Sequence, residues 1–283
     1  MTFVDPEAVA GLPEQAKDVL RELFSHEHDF RARILATTER RRRNELMQQM
    51  YDRTWDLLNK YDDLAGTTPY QSGTVDRSND ARAIGRLTRP GRALEVGAGG
   101  GSFCAALARA GWTVDGTDLV AAPDWQSISR DLGVRFQAGD LVDLELEAGS
   151  YDLCVMEAVM EHLPPGDYEE TIRRILSLLR PGGWFVAVVP NSLVGPHDVS
   201  RYFLSRGRLS EASHFNERKF IELGSDLKAA GFRRLTTVAY AGLTAGRRFG
   251  WSRLWYWKAL IAEALFSILP PSLRHPTLFA YMV

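Results

Sequence analysis

Apolar residues recur at helical spacing early in the chain: Val19, Leu20, Leu23 and Phe24 form one stripe. Leu46, Met47, Met50, Trp55, Leu57 and Leu58 form a second after a charged section, so residues 1 to about 78 read as helices. Gly66 to Asp80, rich in Gly, Thr, Ser, Asn and Asp, reads as a linker or loop, and Ala81 to Leu87 as a short helix. From residue 92 onward short apolar runs alternate with helical patterns, which predicts a sheet with crossover helices. Strands are expected at 92–96, 112–118, 134–137, 151–156, 184–189 and 233–240, with a terminal strand at 277–283.

Two helices between these strands carry their own punctuation. Asp167 with Glu170 has the spacing of a capping box, opening a helix that ends near Leu179 and is closed by Arg180-Pro181-Gly182-Gly183. Phe220, Ile221, Leu223 and Leu227 mark an amphipathic helix over 217–230, stopped by Gly231. Two stretches interrupt the alternation, Ser192 to Phe215 and Ala241 to Pro276. The first holds Pro196, His197, Asp198, Arg201, Tyr202, Phe203 and His214, a mixture suited to covering a substrate. The second holds Trp251, Trp255, Trp257, Leu260, Ile261, Leu265 and Phe266, with Arg247, Arg248 and Arg253 on its flank. Lys258 and Glu263 interrupt it, so a membrane-spanning helix is excluded on cost. A packed helix, a lid over an apolar substrate and an interfacial membrane contact stay open.

Composition narrows the class of partner. The 283 residues can bury a substantial core, and a formal net charge of −2 gives no overall pull toward nucleic acid or anionic membrane. Arg40 to Arg43 form the one basic run; beside Glu39 and Glu45 it reads as a solvated helix face, and no interleaved aromatics point to RNA. Cys104 and Cys154 are the only cysteines, one just past a glycine turn and the other in an expected core strand. That pattern fits reduced, buried thiols and a cytoplasmic location. The N-terminal residues lack the basic start and apolar core of a secretion signal.

The chemistry centres on Ala93-Leu94-Glu95-Val96-Gly97-Ala98-Gly99-Gly100-Gly101-Ser102-Phe103. A short apolar run meets a glycine turn and then a helical pattern, the layout of a nucleotide-binding crossover. A dinucleotide fingerprint counted from Gly97 needs Gly or Ala at position 102, where Ser102 stands. Glu95 gives instead Glu-x-Gly-x-Gly-x-Gly, which resembles motif I of class I S-adenosylmethionine (SAM)-dependent methyltransferases. Val-x-Gly-x-Asp at 114–118, Gly139-Asp140-Leu141, and Asp152 followed by Glu161-His162-Leu163 match the same family in order.

The resemblance covers about 93 to 240 and implies a doubly wound, Rossmann-like α/β fold of seven strands with the last antiparallel. It divides the chain into an N-terminal helical extension, 1–78, and a SAM-binding domain, 79–283, with insertions at 192–215 and 241–276. It further implies that Glu95, Gly97, Gly99 and Gly101 hold the methionine part of SAM and that Asp118 accepts from the ribose hydroxyls, with Asp115 as competitor. Asp140 would accept from the adenine amino group, Leu141 would lie against the ring, and Glu157 belongs to the same ligand edge. Asp152 is given a structural role at its strand's start. Helices ahead of motif I often cover the pocket in such enzymes, so Tyr51, Trp55, Tyr61 and Tyr70 could reach the site.

The expected reaction is methyl transfer to a partly apolar small molecule, most readily at a hydroxyl. His162 is the first candidate for the base, because a histidine titrates near neutrality; His197 and His214 follow. No His, Asp or Glu cluster has recognisable metal-ligand spacing. N- or C-methylation, an NAD-dependent oxidoreductase and a non-catalytic SAM-binding protein are the alternatives. Pro190-Asn191 follows strand five, whereas the Asn-Pro-Pro tetrad of DNA amino-methyltransferases follows strand four, so DNA is not the expected acceptor.

Overall fold

The structure, a computed structural model, describes residues 1–66, 76–85, 87–239, 252–270 and 281–282. Tyr70, Arg247, Arg248, Trp251 and most of the expected terminal strand lie outside the described residues.

Five strands form the parallel sheet: β1 (Arg92–Val96), β2 (Thr113–Asp118), β3 (Arg135–Ala138), β4 (Tyr151–Glu157) and β5 (Leu179–Pro190). Their spatial order is β3-β2-β1-β4-β5, with every one of these pairs parallel. β8 (Tyr281–Met282) pairs antiparallel with the end of β5, through Val189↔Met282 and Pro190↔Tyr281. Strand alternation sorts the apolar residues into two cores. Leu94, Val96, Cys154, Met156, Ala187 and Val189 face one side with Ile172, Ile175 and Leu178 of α6 (Pro165–Leu178). Ala93, Leu153, Val155 and Val186 face the other, with Cys104, Ala106 and Leu107 of α4 (Ser102–Arg109). Burial on both faces is why β4 reads as an unbroken apolar run.

The expected strand at 233–240 is corrected to a shorter one outside the main sheet. β6 (Thr236–Ala239) pairs antiparallel with β7 (Ser252–Trp255), because a complementary strand follows it within the late insertion. Strand five also begins earlier than its apolar core suggests, at Leu179, with a register shift between Tyr151 and Leu153 as it passes Pro181 and the glycines. The capping box at Asp167 is not formed. Pro164 and Pro165 open α6 instead, and Asp167 lies in the first turn, bonded to arginines of a distant helix.

The N-terminal extension is a helical pair, α1 (Glu14–Ala36) and α2 (Arg40–Ala65). Val19, Leu20, Leu23, Phe24 and Leu57 share a core with Val199 and Ala212, while Ile34, Leu46, Met47 and Met50 surround Phe215. The extension is therefore packed against the insertion that follows β5. Arg31 adds hydrogen bonds to the carbonyls of Ala212 and His214, at 3.1 and 2.8 Å.

α7 (Phe220–Ala230) and α8 (Tyr256–Ser267) meet through a buried carboxylate. Glu263 of α8 accepts from the backbone N–H groups of Phe220 and Ile221, at 2.6 and 2.9 Å, and from the Asn191 amide at 3.0 Å. It thus caps a neighbouring helix whose own first N–H groups have no intrahelical partner. Phe266 packs on Leu193 and Val194, while Trp257, Ile261, Leu265, Ile268 and Leu269 are exposed. Among the described residues no helix is long and apolar enough to cross a membrane. Glu263→Ala is expected to cost about 2–4 kcal/mol, because it orphans buried donors; urea unfolding monitored by Trp fluorescence measures it.

Candidate functional site

The carboxyl ends of the parallel strands gather most of the candidate residues. β1 ends at Val96, and the turn behind it carries Gly97 at φ +78° and Gly101 at φ +82°, values closed to ordinary side chains. A Cβ on Gly97 would lie 2.1 Å from Val159 Cγ2, so the glycine lets the loop after β4 approach. Gly97 and Ala98 N–H groups both donate to Thr117 O, at 2.7 and 2.9 Å. Asp118, at the end of β2, accepts from the Gly99 N–H at 2.9 Å, which ties the second strand to the turn. Burial raises its pKa against the pull of these backbone donors. The competing Asp115 is committed elsewhere: it accepts from Arg92, Arg135 and the Tyr151 hydroxyl. Asp152 accepts from the Arg92 N–H at 2.7 Å and pairs with Arg180 at its strand's start.

Glu95 is buried, and its Oε2 has no hydrogen-bond partner. Burial pushes its pKa up to about 8; a hydrogen bond with Cys104 opposes the shift, and the nearby Glu157 adds to it. Glu157, at the end of β4, pairs with Arg77 at 2.6 Å, and burial raises it too. Glu95 and Glu157 thus share one nearby guanidinium, which Asp80 also pairs at 3.2 Å, and Glu95 has an orphaned oxygen. Such a site favours a cationic guest. Leu141 is buried in the core on the α6 side of the sheet.

Asp140 is engaged in a way the sequence does not suggest. Its Oδ2 accepts from Arg40 Nε and Asn44 Nδ2, each at 2.5 Å, and its Oδ1 from Arg40 Nη2 at 2.8 Å and the Val142 N–H at 3.0 Å. Although burial opposes it, these partners hold the carboxyl below its usual range. The reading of Arg40–Arg43 as a wholly solvated face is corrected accordingly. Arg41 and Arg42 are exposed and pair with Glu45, while Arg40 and Arg43 turn inward to Asp140 and Asp167. One turn of helix separates the inward pair, so their i, i+3 spacing is the signal that could have found them.

Beyond β4, Ala158 adopts φ +53°, uncommon outside glycine, and turns the chain into a short 3₁₀ helix, Met160–His162. Glu161 in it is buried, its Oε2 has no partner, and burial pushes its pKa up to about 7. His162 Nδ1 lies 3.2 Å from Ser213 O; a carbonyl only accepts, so Nδ1 carries the proton and Nε2 the lone pair. Burial, with the charge of His214, pulls His162 down to about 3. His214 meets it edge to face, ring centroids 4.5 Å apart. Burial works against a cation there, yet Glu217, 2.7 Å from Nδ1, and the charges of Asp198 and Glu161 push His214 up to about 9. Glu217 accepts from the backbone N–H of His197 at 2.8 Å, and the His197 and His214 side chains hold it well below the usual carboxylate range despite burial.

Ligand atoms of Glu161, His162 and His214 lie within 4.8 Å of one another. His197 sits on the far partner of this network, Glu217, rather than in the cluster. Tyr51 of α2 stacks on Trp55 and meets the His162 ring at 5.8 Å. Burial raises its hydroxyl well above the usual range, and the charges of Glu27 and Glu161 add to the shift. Tyr61 packs instead with the α1 core. In the sequence Glu161 stands out only as part of the Glu-His-Leu motif; a carboxylate directly before His162 at a strand's carboxyl end is the available signal.

A family model described as a methyltransferase domain matches residues 76–237, more than half of the chain. The chain belongs to this family. It is a class I SAM-dependent methyltransferase. The methyltransferase is 28% identical over 220 residues to a ubiquinone biosynthesis O-methyltransferase of Marinobacter nauticus, covering 72% of this chain and 87% of that protein. It is 29% identical over 175 residues to the protein of the same name in Escherichia coli, covering 53% and 69%. In fold it is similar to the 1,6-didemethyltoxoflavin-N1-methyltransferase of Burkholderia thailandensis, with a TM-score of 0.52, 23% identity and coverage of 80% and 83%.

Proposed function

We propose that this methyltransferase transfers a methyl group from SAM to a hydroxyl of a partly apolar small molecule. The observation that carries this reading is the unpartnered Glu161 Oε2, beside His162 and His214. An alcohol or phenol must lose its proton near the transition state, and a carboxylate pushed up to about 7 is matched to that task. The O-methyltransferase names of the curated relatives support the same choice of atom.

In this reading Glu95 and Glu157 receive the ammonium group of SAM, the glycine turn admits its methionine part, and Asp118 accepts from the ribose hydroxyls. The orphaned Glu95 oxygen fits that guest, because a buried carboxylate without a partner is stabilised by a cation. SAM supplies the methyl group. Glu161 takes the acceptor's proton, while His214, kept cationic by Glu217, faces the oxyanion that develops. His162 stays neutral and orients the acceptor through Nε2. His197 supports the site through Glu217. The division into an extension over 1–78 and a SAM-binding domain over 79–283 belongs to this reading. So does a seventh strand beside β8, supported by the approach of β6 to β8.

A second reading is favoured by the same three side chains. Both imidazoles have Nδ1 fixed by an oxygen, which leaves two Nε2 atoms and the Glu161 carboxylate as donors for a divalent ion. One assay separates the readings. Purified enzyme, shown by calorimetry to bind SAM and S-adenosylhomocysteine but not NAD, is tested on phenol and catechol acceptors before and after chelation. Turnover that survives the chelator assigns Glu161 to proton transfer. Turnover lost to it and restored by a divalent ion assigns the cluster to a metal. A folded protein that ignores SAM sinks both.

A further inference from the structure

We infer that the first turn of α2 is a latch on the adenine site, in which Arg40 and Asn44 compete with the adenine amino group for Asp140. The inference rests on the SAM-binding reading above and concerns what binding must displace. An ionised carboxylate offers about four acceptor positions, two on each oxygen. At Asp140 all four are filled: Arg40 supplies two donors as a fork, Asn44 a third and the Val142 N–H a fourth. The last is local to the turn. The other three come from one helix lying far away in sequence. An amino donor from a ligand can therefore join Asp140 only where Arg40 or Asn44 yields.

The surroundings make that exchange feasible. Arg40 Nη1 already lies 3.0 Å from Glu170 and 3.4 Å from Asp167, and its Nη2 is 3.4 Å from the Thr171 hydroxyl. A guanidinium leaving Asp140 is thus received by two carboxylates of α6 and is never left buried without a partner. The Glu170 side chain is 48% exposed, so it can follow the arginine, whereas Asp140 and Asp167 are nearly enclosed. Arg43 keeps α2 attached to α6 throughout, through Asp167. The result is one arginine with two alternative seats, and a ligand bearing an exocyclic amine favours the second. α2 also carries Tyr51, so the same helix links occupancy at Asp140 to the ring that meets His162.

The test measures, by calorimetry on the full chain, affinities for S-adenosylhomocysteine and for its purine-riboside analogue, which bears hydrogen in place of the 6-amino group. Arg40→Met is expected to tighten the adenosyl ligand roughly tenfold, the scale of a charge-assisted hydrogen bond no longer displaced. It should leave the purine-riboside ligand within about twofold, since that base brings no N–H or O–H donor to the carboxylate. Asn44→Ala should act in the same direction but more weakly, and serves where Arg40→Met loses its cooperative melt. Adenosyl affinity that is unchanged or weaker in both variants overturns the latch and makes the pair a structural clasp. Equal tightening of both ligands also overturns it. A folded wild type that binds neither ligand overturns the cofactor assignment together with the latch.

Discussion

Glu161→Gln is expected to lower methyl transfer by roughly 10²- to 10⁴-fold, the span of a lost general base, while SAM affinity stays within about twofold. The amide keeps the size of the carboxyl group but cannot take a proton from an acceptor hydroxyl. Stability moves the other way. Because burial raises the folded pKa of Glu161 to about 7, the native state holds a proton that the unfolded chain gives up above about 4.5. The side chain's contribution is thus fully present below pH 4.5 and is lost as pH rises through 7. Glutamine removes that loss, so the variant should melt above wild type at pH 8 and level with it at pH 4.5. A kcat that falls while the melting temperature at pH 8 rises separates lost chemistry from lost folding. A variant with wild-type turnover would remove Glu161 from the reaction.

The parts of this site that could be read in the sequence share one property: each is fixed by neighbours a few residues away. Glycines at 97, 99 and 101 must turn the chain after a buried strand, and Asp118 ends the next strand at the same sheet edge. Period and spacing therefore placed them together. The Arg40–Asp140 fork and the Glu263 cap join elements whose approach is decided by packing, so neither partner can be read locally, whereas His214 and Glu217 pair across only three residues. Arg40–Arg43 shows the boundary well. Helical periodicity correctly gives four arginines on a charged helix, but which two face inward depends on α6, whose Asp167 lies more than a hundred residues on. The same holds for His162. Its type and place suggest a base, yet burial and the neighbouring His214 cation pull its pKa down, and for that reason the proposed function gives the proton-accepting role to Glu161.

SAM affinity should rise about tenfold per pH unit from pH 6 to 7.5, and Glu95→Gln should abolish that slope. Without a ligand, Glu95 holds its proton up to about pH 8, because burial with an unpartnered Oε2 makes its charge costly. An ammonium brought against it favours the ionised form, so binding below pH 8 must expel a proton. Each unit of pH toward 8 lowers the cost of that expulsion. Calorimetry at pH 6.5 in buffers of different ionisation enthalpy should therefore report close to one proton released per SAM bound by wild type. The glutamine variant should release close to none and bind more weakly at pH 7.5, where wild type gains most from the charge. Its stability gives an independent reading with the opposite sign: relieved of a buried carboxylate, it should melt above wild type at pH 8. If affinity is flat in pH and no proton leaves, Glu95 is already ionised without a ligand or does not meet the ammonium. The carboxylate beside the glycine turn would then have to be assigned a structural role with Cys104.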